Sequence, residues 1–478
     1  MPNDSIAALS AAEIARRVRE REISPVEVLD ACMERVERHN GRINAVVTLN
    51  HRAREEAAEL ERRIGRGEDV GPLAGVTVGI KDVTEVAGVR TTYGSPLFAD
   101  HVPEEDALVV QRLRAAGAVI VGKTNTPEFA AGGNTFNPVF GRTRNPWNPE
   151  RSAGGSTGGG AAGLATGMFA LAQGTDLGGS LRIPASFCGV VGLRPSVGLV
   201  PTWPQDFIWD PMQVTGVMGR TAGDVALGLQ AVAGPSDRAP LAQPMDGRDF
   251  AAAVRGADGR GLRVAYCRDI AGIGIDADVE RVCREAAFAL ADVGATVEEI
   301  DLDLAYGRPA FLALRGLWFV SQLHPHLDRV EHFGVNVANN IRAGLATTVE
   351  QLGAADGARR RIWERFRELF QRYDLLLTPT MAVPPFPVEE NYPATVAGRE
   401  METYVDWIAP TFVLSLTGLP VASVPAGLDS EGMPVGLQIV APPRGEERAL
   451  AAASVVQGMR PMPLPLERIG GDPGQETR

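Results

Sequence analysis

Residues 5–64 carry apolar side chains at helical spacing. Val26, Leu29, Cys32, Met33 and Val36 recur every three or four positions, the period of one helix face. Two helix starts punctuate this stretch. Ser10 with Glu13 three residues later is a capping box, and Ser24-Pro-Val-Glu27 is a start with proline at the first position. The pattern predicts amphipathic helices packed on something larger. From residue 72 the texture changes to short apolar runs. Residues 76–80 and 118–121 read as buried strands, with a helix over 109–116 between them. Residues 153–163 are glycine-rich and run into a small-residue helix over 161–167. A strand is expected over 168–173, followed by a second glycine-rich stretch at 174–180. Further on, strand patterns at 264–266 and 296–300 bracket a helix at 279–293. Residues 305–372 read as mostly helical, and strand texture returns at 375–377, 421–424 and 436–440.

Alternating strands and helices imply an α/β sheet. No repeat of fixed period and no linker-like boundary divides the chain. The expectation is one large α/β domain: an N-terminal helical segment (1–66), a core (67–230), an α/β and helical excursion (231–372) and a return to the sheet (373–460). A frayed proline- and glycine-rich tail (461–478) completes it.

Composition removes several function classes. The formal net charge is −12, which argues against a nucleic-acid binder or a polybasic membrane anchor. The N-terminus lacks an apolar leader core, and no apolar stretch is long enough to span a bilayer. The four cysteines have no CxxC spacing and read as buried free thiols in a reducing, cytoplasmic setting. His324-Pro-His326 is the only close histidine pair, and it lacks nearby ligands of the right kind. Neither a metal nor a cofactor is expected. Of the 47 basic residues only Lys81 and Lys123 are lysines, so chemistry that needs an amine base has two side chains to draw on.

Three places could carry chemistry. Lys81 directly follows the apolar run 76–80. Burial there would lower its pKa and make it a base, but a strand-end cation facing solvent or pairing with Asp82 is equally open. Ser156 lies in Gly154-Gly-Ser-Thr-Gly-Gly159, where glycines allow close backbone approach. A flexible loop remains open there too. A phosphate loop is excluded, because no lysine follows, and the dinucleotide fingerprint is absent. Ser180 follows Gly178 and Gly179, whose N–H groups could form an oxyanion hole or merely a tight turn. With Arg182 two residues later, this is not a G-x-S-x-G elbow, and no histidine sits in a triad-like setting.

The combination of motifs resembles the amidase signature family, hydrolases with a Ser–cis-Ser–Lys triad. Gly79-Ile-Lys-Asp82, residues 86–92, Gly122-Lys-Thr-Asn-Thr-Pro-Glu-Phe129, Thr143-Arg-Asn-Pro-Trp147, the Ser156 block and residues 174–185 all match its blocks, over nearly the whole chain. Thr157 stands where the family pattern has a second serine. The resemblance implies a central mixed β-sheet covered by helices. It implies Ser180 as nucleophile, Ser156 as bridging serine after a cis peptide, and Lys81 as base. It also implies the N–H groups of Leu177, Gly178 and Gly179, with that of Ser180, as the oxyanion hole. Asp176, Arg182 and Thr157 would hold the two glycine loops in register. Lys123 matches a family block without an implied catalytic role.

The substrate signal is thinner. Residues 201–212 place aromatic side chains in a proline-broken loop past the nucleophile block, and residues 311–319 form an apolar helix. Gly132, Trp203, Phe207, Trp209 and Trp318 are the expected pocket residues. Ordinary core or lid packing is the competing reading of the same aromatics. A small hydrophobic or aryl amide is the favoured substrate, with carbamates and esters also accessible to an acyl-enzyme cycle. The alternatives are a glutamine amidase component of a tRNA amidotransferase and a non-catalytic scaffold. Family resemblance makes a homodimer a candidate assembly.

Overall fold

The computed structural model describes residues 2–465. Most of the tail expected at 461–478 therefore lies outside the described residues.

Eleven strands form one sheet: β1 (Val46–Leu49), β2 (Thr77–Lys81), β3 (Val119–Thr124), β4 (Leu171–Asp176), β5 (Val191–Arg194), β6 (Val214–Gly219), β7 (Arg263–Tyr266), β8 (Thr296–Glu299), β9 (Leu375–Pro379), β10 (Val421–Leu428) and β11 (Pro434–Val440). Their spatial order is β1-β3-β2-β4-β6-β5-β10-β11-β9-β7-β8. The trio β3-β2-β4 is parallel, as is β9-β7-β8 at the other end. The strands between β4 and β9 are antiparallel. The sheet is therefore mixed. Each of the four segments between residues 1 and 460 contributes at least one strand to it.

Every position of β2, β3 and β4 is buried. That explains the short apolar runs of β2 and β3, because a strand covered on both faces has no polar side to alternate with, while β4 buries Gln173, Thr175 and Asp176 at the site edge. One apolar cluster joins the N-terminal helices, through Ile14, Val28 and Leu29, to Val78, Ile80, Leu164 and Phe169. A second gathers Trp318, Phe319, Phe366, Trp407 and Phe412 around Leu177 and Ile183. The described helices include none that is long and apolar enough to cross a membrane. Cys32, Cys188, Cys267 and Cys283 are buried and unpaired.

Local signals translate unevenly. The Ser24 box is complete: Glu27 N donates to Ser24 Oγ at 3.1 Å and Ser24 N donates to Glu27 Oε2 at 2.7 Å. The Ser10 box is half-made. Glu13 N donates to Ser10 Oγ, but the Glu13 carboxylate takes Arg16 and Arg17 instead. The stretch expected to be helical contains β1, which pairs antiparallel with β3. Strand β4 starts three residues later than its apolar pattern suggests. The helix Gly158–Ala165 ends and Gly167 turns the chain at φ +72° before the strand begins.

Candidate active site

Adjacent parallel strands point the same way, so their C-terminal ends open on a common edge, the usual place for ligands in α/β sheets. Lys81 is the last residue of β2 and Asp176 the last of β4, its parallel neighbour. Lys81 is fully buried. Its Nζ donates to Ser156 Oγ at 2.7 Å and to Thr175 Oγ1 at 3.0 Å. Burial pulls its pKa from the usual lysine range down to about 7, against the opposing attraction of Asp176. The amine is thus divided between its neutral and charged forms near neutral pH. The solvent-facing reading of Lys81 does not apply.

Ser156 follows a cis peptide from Gly155. The next residue, Thr157, donates its N–H to the carbonyl oxygen of Ser180 at 3.2 Å. The serine-bearing loops are therefore tied to each other by backbone. The glycines after Ser156 permit the close approach behind it: a Cβ at Gly159 would stand 2.3 Å from Asn125 N. Thr157 acts here through its backbone and its methyl group. Its Oγ1 finds no hydrogen-bond partner among the described residues.

Asp176 organises the loop that carries Ser180. Its carboxylate accepts from Gly179 N at 2.9 Å and Leu181 N at 3.2 Å. It also accepts from Arg182 Nε at 3.0 Å, from Arg182 Nη2 at 2.9 Å and from Arg194 Nη1 at 3.2 Å. Burial would raise its pKa, but the two guanidinium groups overcome that and hold the carboxyl far below its ordinary value. Arg182 reaches onward to Thr411 O, Gln438 Oε1 and Ser415 Oγ. Gly179 needs its missing side chain: φ is +126° and a Cβ would stand 2.3 Å from Thr411 Oγ1.

This geometry revises the expected oxyanion donors. The N–H of Gly179 is turned onto Asp176, because the tight turn after β4 folds back on its own carboxylate. The N–H groups of Leu177, Gly178 and Ser180 meet no protein acceptor among the described residues, and they are the remaining candidates. Sequence patterns do not mark Arg194 or Thr175. Arg194 sits at the end of a four-residue strand with no motif around it, and Thr175 is visible only as part of the nucleophile block.

A cavity of about 360 Å³ lies against Thr175. Its walls include Tyr93, Phe129, Trp203 and Trp318. The structure thus brings two of the expected pocket residues, Trp203 and Trp318, together with Thr175. Trp318 Nε1 donates to the buried Asp210 Oδ2 at 2.7 Å, which anchors the ring. The other three expected residues lie elsewhere. Trp209 is 62% exposed, because its loop turns the ring to solvent. Phe207 is half-buried beside the second apolar cluster, and its N–H is held by Gln322 Oε1 at 3.3 Å. Gly132 is buried behind Gly155, where it packs on that residue's backbone rather than on the cavity wall. His326 lines the cavity with its ring 5.3 Å from Phe98.

Lys123 is also fully buried, and burial lowers its pKa to about 8 despite Asp82. Its Nζ donates to Thr84 O at 2.5 Å and Thr91 Oγ1 at 2.7 Å. It braces the turn after β2 and touches neither serine.

Residues 27–450 match the family described as Amidase. An acylamidase of Rhodococcus erythropolis is 36% identical over 465 residues, spanning 95% of this chain and 96% of that protein. A glutamyl-tRNA(Gln) amidotransferase component from Carboxydothermus hydrogenoformans is 36% identical over 474 residues, spanning 93% of this chain and 96% of that protein. The crystal structure of a bacterial aryl acylamidase of the amidase signature enzymes matches with a TM-score of 0.91 at 30% identity, covering 97% of this chain and 99% of that one. Sequence, fold and relatives agree: the chain belongs to the Amidase family and is an amidohydrolase.

Proposed function

We propose that this protein is a serine hydrolase that cleaves small aryl-bearing or hydrophobic amides through an acyl-enzyme. The observation that carries this reading is the position of Thr175. It accepts a hydrogen bond from Lys81 on one side and forms part of an aromatic-walled cavity on the other. A buried amine near its neutral form and an aromatic-walled binding space thus share one residue.

In this reading Ser180 is the nucleophile, Ser156 the relay and Lys81 the base. The lone pair of neutral Lys81 takes the Ser156 proton while Ser156 takes that of Ser180. The Ser180 oxygen bonds to the amide carbonyl carbon, and the N–H groups of Leu177, Gly178 and Ser180 receive the developing oxyanion. Lys81 then returns a proton through Ser156 to the amide nitrogen, the C–N bond breaks, and the amine leaves. Water attacks the acyl-enzyme by the same relay, releases the acid and restores Ser180. A urethane or ester carbonyl enters the same cycle.

The glutaminase reading is weaker on the cavity's chemistry. Its lining includes the carboxylates of Glu85 and Asp206 and neither lysine nor arginine, so it lacks an obvious anchor for glutamine's carboxylate. A non-catalytic scaffold has no need of a buried amine bonded to a buried hydroxyl. The test is a panel of anilides, aliphatic amides, glutamine, carbamates and esters on purified protein, with Ser180→Ala as the blank. Anilides are expected to lead. Turnover of glutamine above all others would overturn the aryl reading, and failure of a fluorophosphonate to label Ser180 would overturn the nucleophile assignment.

A further inference from the structure

Tyr93, Phe129 and Ala130 all line the cavity, and all three hold left-handed backbone, at φ 54°, 45° and 59°. Residues with a Cβ keep such conformations only where their surroundings enforce them, and functional sites are where they cluster. Two of the enforcing contacts are visible in the backbone and rings. Phe129 N donates to Tyr93 O at 2.8 Å, and the two rings stack 5.5 Å apart at 12°.

The third contact is Glu128, which is 6% exposed. It precedes the strained pair directly and does not line the cavity itself. Its Oε1 accepts from Ser95 Oγ at 2.6 Å, and its Oε2 accepts from Gly334 N at 2.6 Å. Ser95 closes the turn that contains Tyr93, and Gly334 caps the helix Val335–Ala346. The same helix start supplies Phe333, whose ring meets Phe129 edge-on at 5.4 Å, and Asn336, which donates to Ala131 O at 2.9 Å. One carboxylate therefore ties three segments distant in sequence. Both of its oxygens accept, so loss of the carboxylate releases Ser95 and Gly334 together.

We propose that Glu128 is a positioning residue that holds the Phe129–Ala130 turn against Tyr93 and so sets the enzyme's preference for aryl-bearing substrates. This rests on the aromatic cavity being the substrate pocket, as in the function proposed above. Glu128→Ala removes both contacts, whereas Glu128→Gln can keep them, its amide oxygen accepting from Gly334 N and its NH₂ donating to Ser95 Oγ, a hydroxyl that also accepts. Ser95→Ala removes one donor and keeps the carboxylate.

The experiment compares wild type, Glu128→Ala, Glu128→Gln and Ser95→Ala on para-nitroacetanilide and propionamide. It also follows fluorophosphonate labelling of Ser180 and calorimetric binding of para-nitroaniline, which needs no turnover. For Glu128→Ala the anilide KM should rise about tenfold with kcat held within about twofold, a loss of binding rather than of chemistry, and Glu128→Gln should restore it. In Glu128→Ala the propionamide constants and the labelling rate should stay within about twofold, and para-nitroaniline should bind about tenfold more weakly. Ser95→Ala should move the same quantities in the same direction by less. Equal losses on both substrates, or an unmoved affinity for para-nitroaniline, would overturn the proposal. If Glu128→Ala does not fold, Ser95→Ala decides alone. If wild type cleaves no amide, the catalytic reading fails, while the para-nitroaniline affinities still decide the role of Glu128.

Discussion

Lys81 and Ser156 lie 75 residues apart in the chain, yet Lys81 Nζ reaches Ser156 Oγ at 2.7 Å. A strand end and a glycine-rich loop make the contact, and neither side chain touches bulk solvent. A buried amine with no partnering carboxylate sheds its proton more readily, which is what a general base near neutral pH requires.

Removing that base should separate amides from esters. An amine leaves only after protonation, while an alkoxide or phenoxide leaves more easily. Lys81→Ala should lower kcat for an anilide by about 10²–10⁴-fold, the usual span for a general acid–base group, and for the matched ester by much less. Equal losses across the pair would sink the proton-relay assignment. No third lysine exists to substitute for Lys81.

The pH profile follows from the direction of the shift. Lys81 must be neutral to accept a proton, and its pKa lies at about 7. The rate constant kcat/KM should rise about tenfold per pH unit below that value and level off above it. A rate flat down to pH ~5 would contradict a lysine base.

Stability should respond with a defined sign. Between about 7 and the ordinary lysine value of 10.5, the unfolded chain holds a proton that the native chain lacks. Unfolding free energy therefore rises with pH across that window, by about 1.4 kcal/mol per unit from this group. Below about pH 7 native Lys81 is charged as well and the slope from this group vanishes. Lys81→Met should raise the urea midpoint at pH ~7, with an advantage that shrinks as pH increases. A pH-independent difference between the two proteins would show that Lys81 is not depressed in the fold.

Asp176 is the structural counterpart. Asp176→Asn leaves Arg182 and Arg194 buried without their carboxylate, which should cost about 3–5 kcal/mol in unfolding free energy. Arg194→Met should couple to it, so the double variant loses less than the sum of the single changes. Additive losses in urea unfolding would mean that the two residues act separately.

The cavity divides the tryptophans. Trp318→Ala should raise KM for an anilide by about tenfold, since a buried ring in a pocket wall contributes through contact area. Trp209→Ala should leave both kinetic constants within about twofold, because that ring is turned to solvent and lies outside the lining. A large effect of Trp209→Ala would extend the substrate site beyond the cavity lining to the exposed end of that loop.

Strands β2 and β3 are legible in the sequence because both of their faces are buried, so they carry short apolar runs, while β4 is displaced by three residues from its pattern. The edge strand β1 and the short strands β5 and β6 are not. Strand β1 is a four-residue segment between two helices, and the partners of β1 and β5 lie far along the chain. Ser24 is recognisable as a cap because its partner Glu27 is three residues away. Ser10 has the same spacing to Glu13, but Arg16 and Arg17 compete for that carboxylate. For the site, the family resemblance marks Lys81, Ser156 and Ser180 and includes Glu128 only within a block, the aromatic pattern anticipates Trp203 and Trp318 of the cavity lining, and Arg194 leaves no local trace.

What the sequence determined alone was therefore local or motif-borne: helix starts, buried strands, glycines at positions of close approach, and Lys81, Ser156 and Ser180 as the candidates for chemistry. Tertiary structure decided how they are used. It buried Lys81 beside Thr175, turned the Gly179 N–H onto Asp176, sent Trp209 to solvent and Trp318 to the cavity. Each outcome depends on packing that the residues' immediate neighbours in the chain do not dictate. Solvation and donor–acceptor geometry are properties of that packed arrangement, not of any stretch of chain.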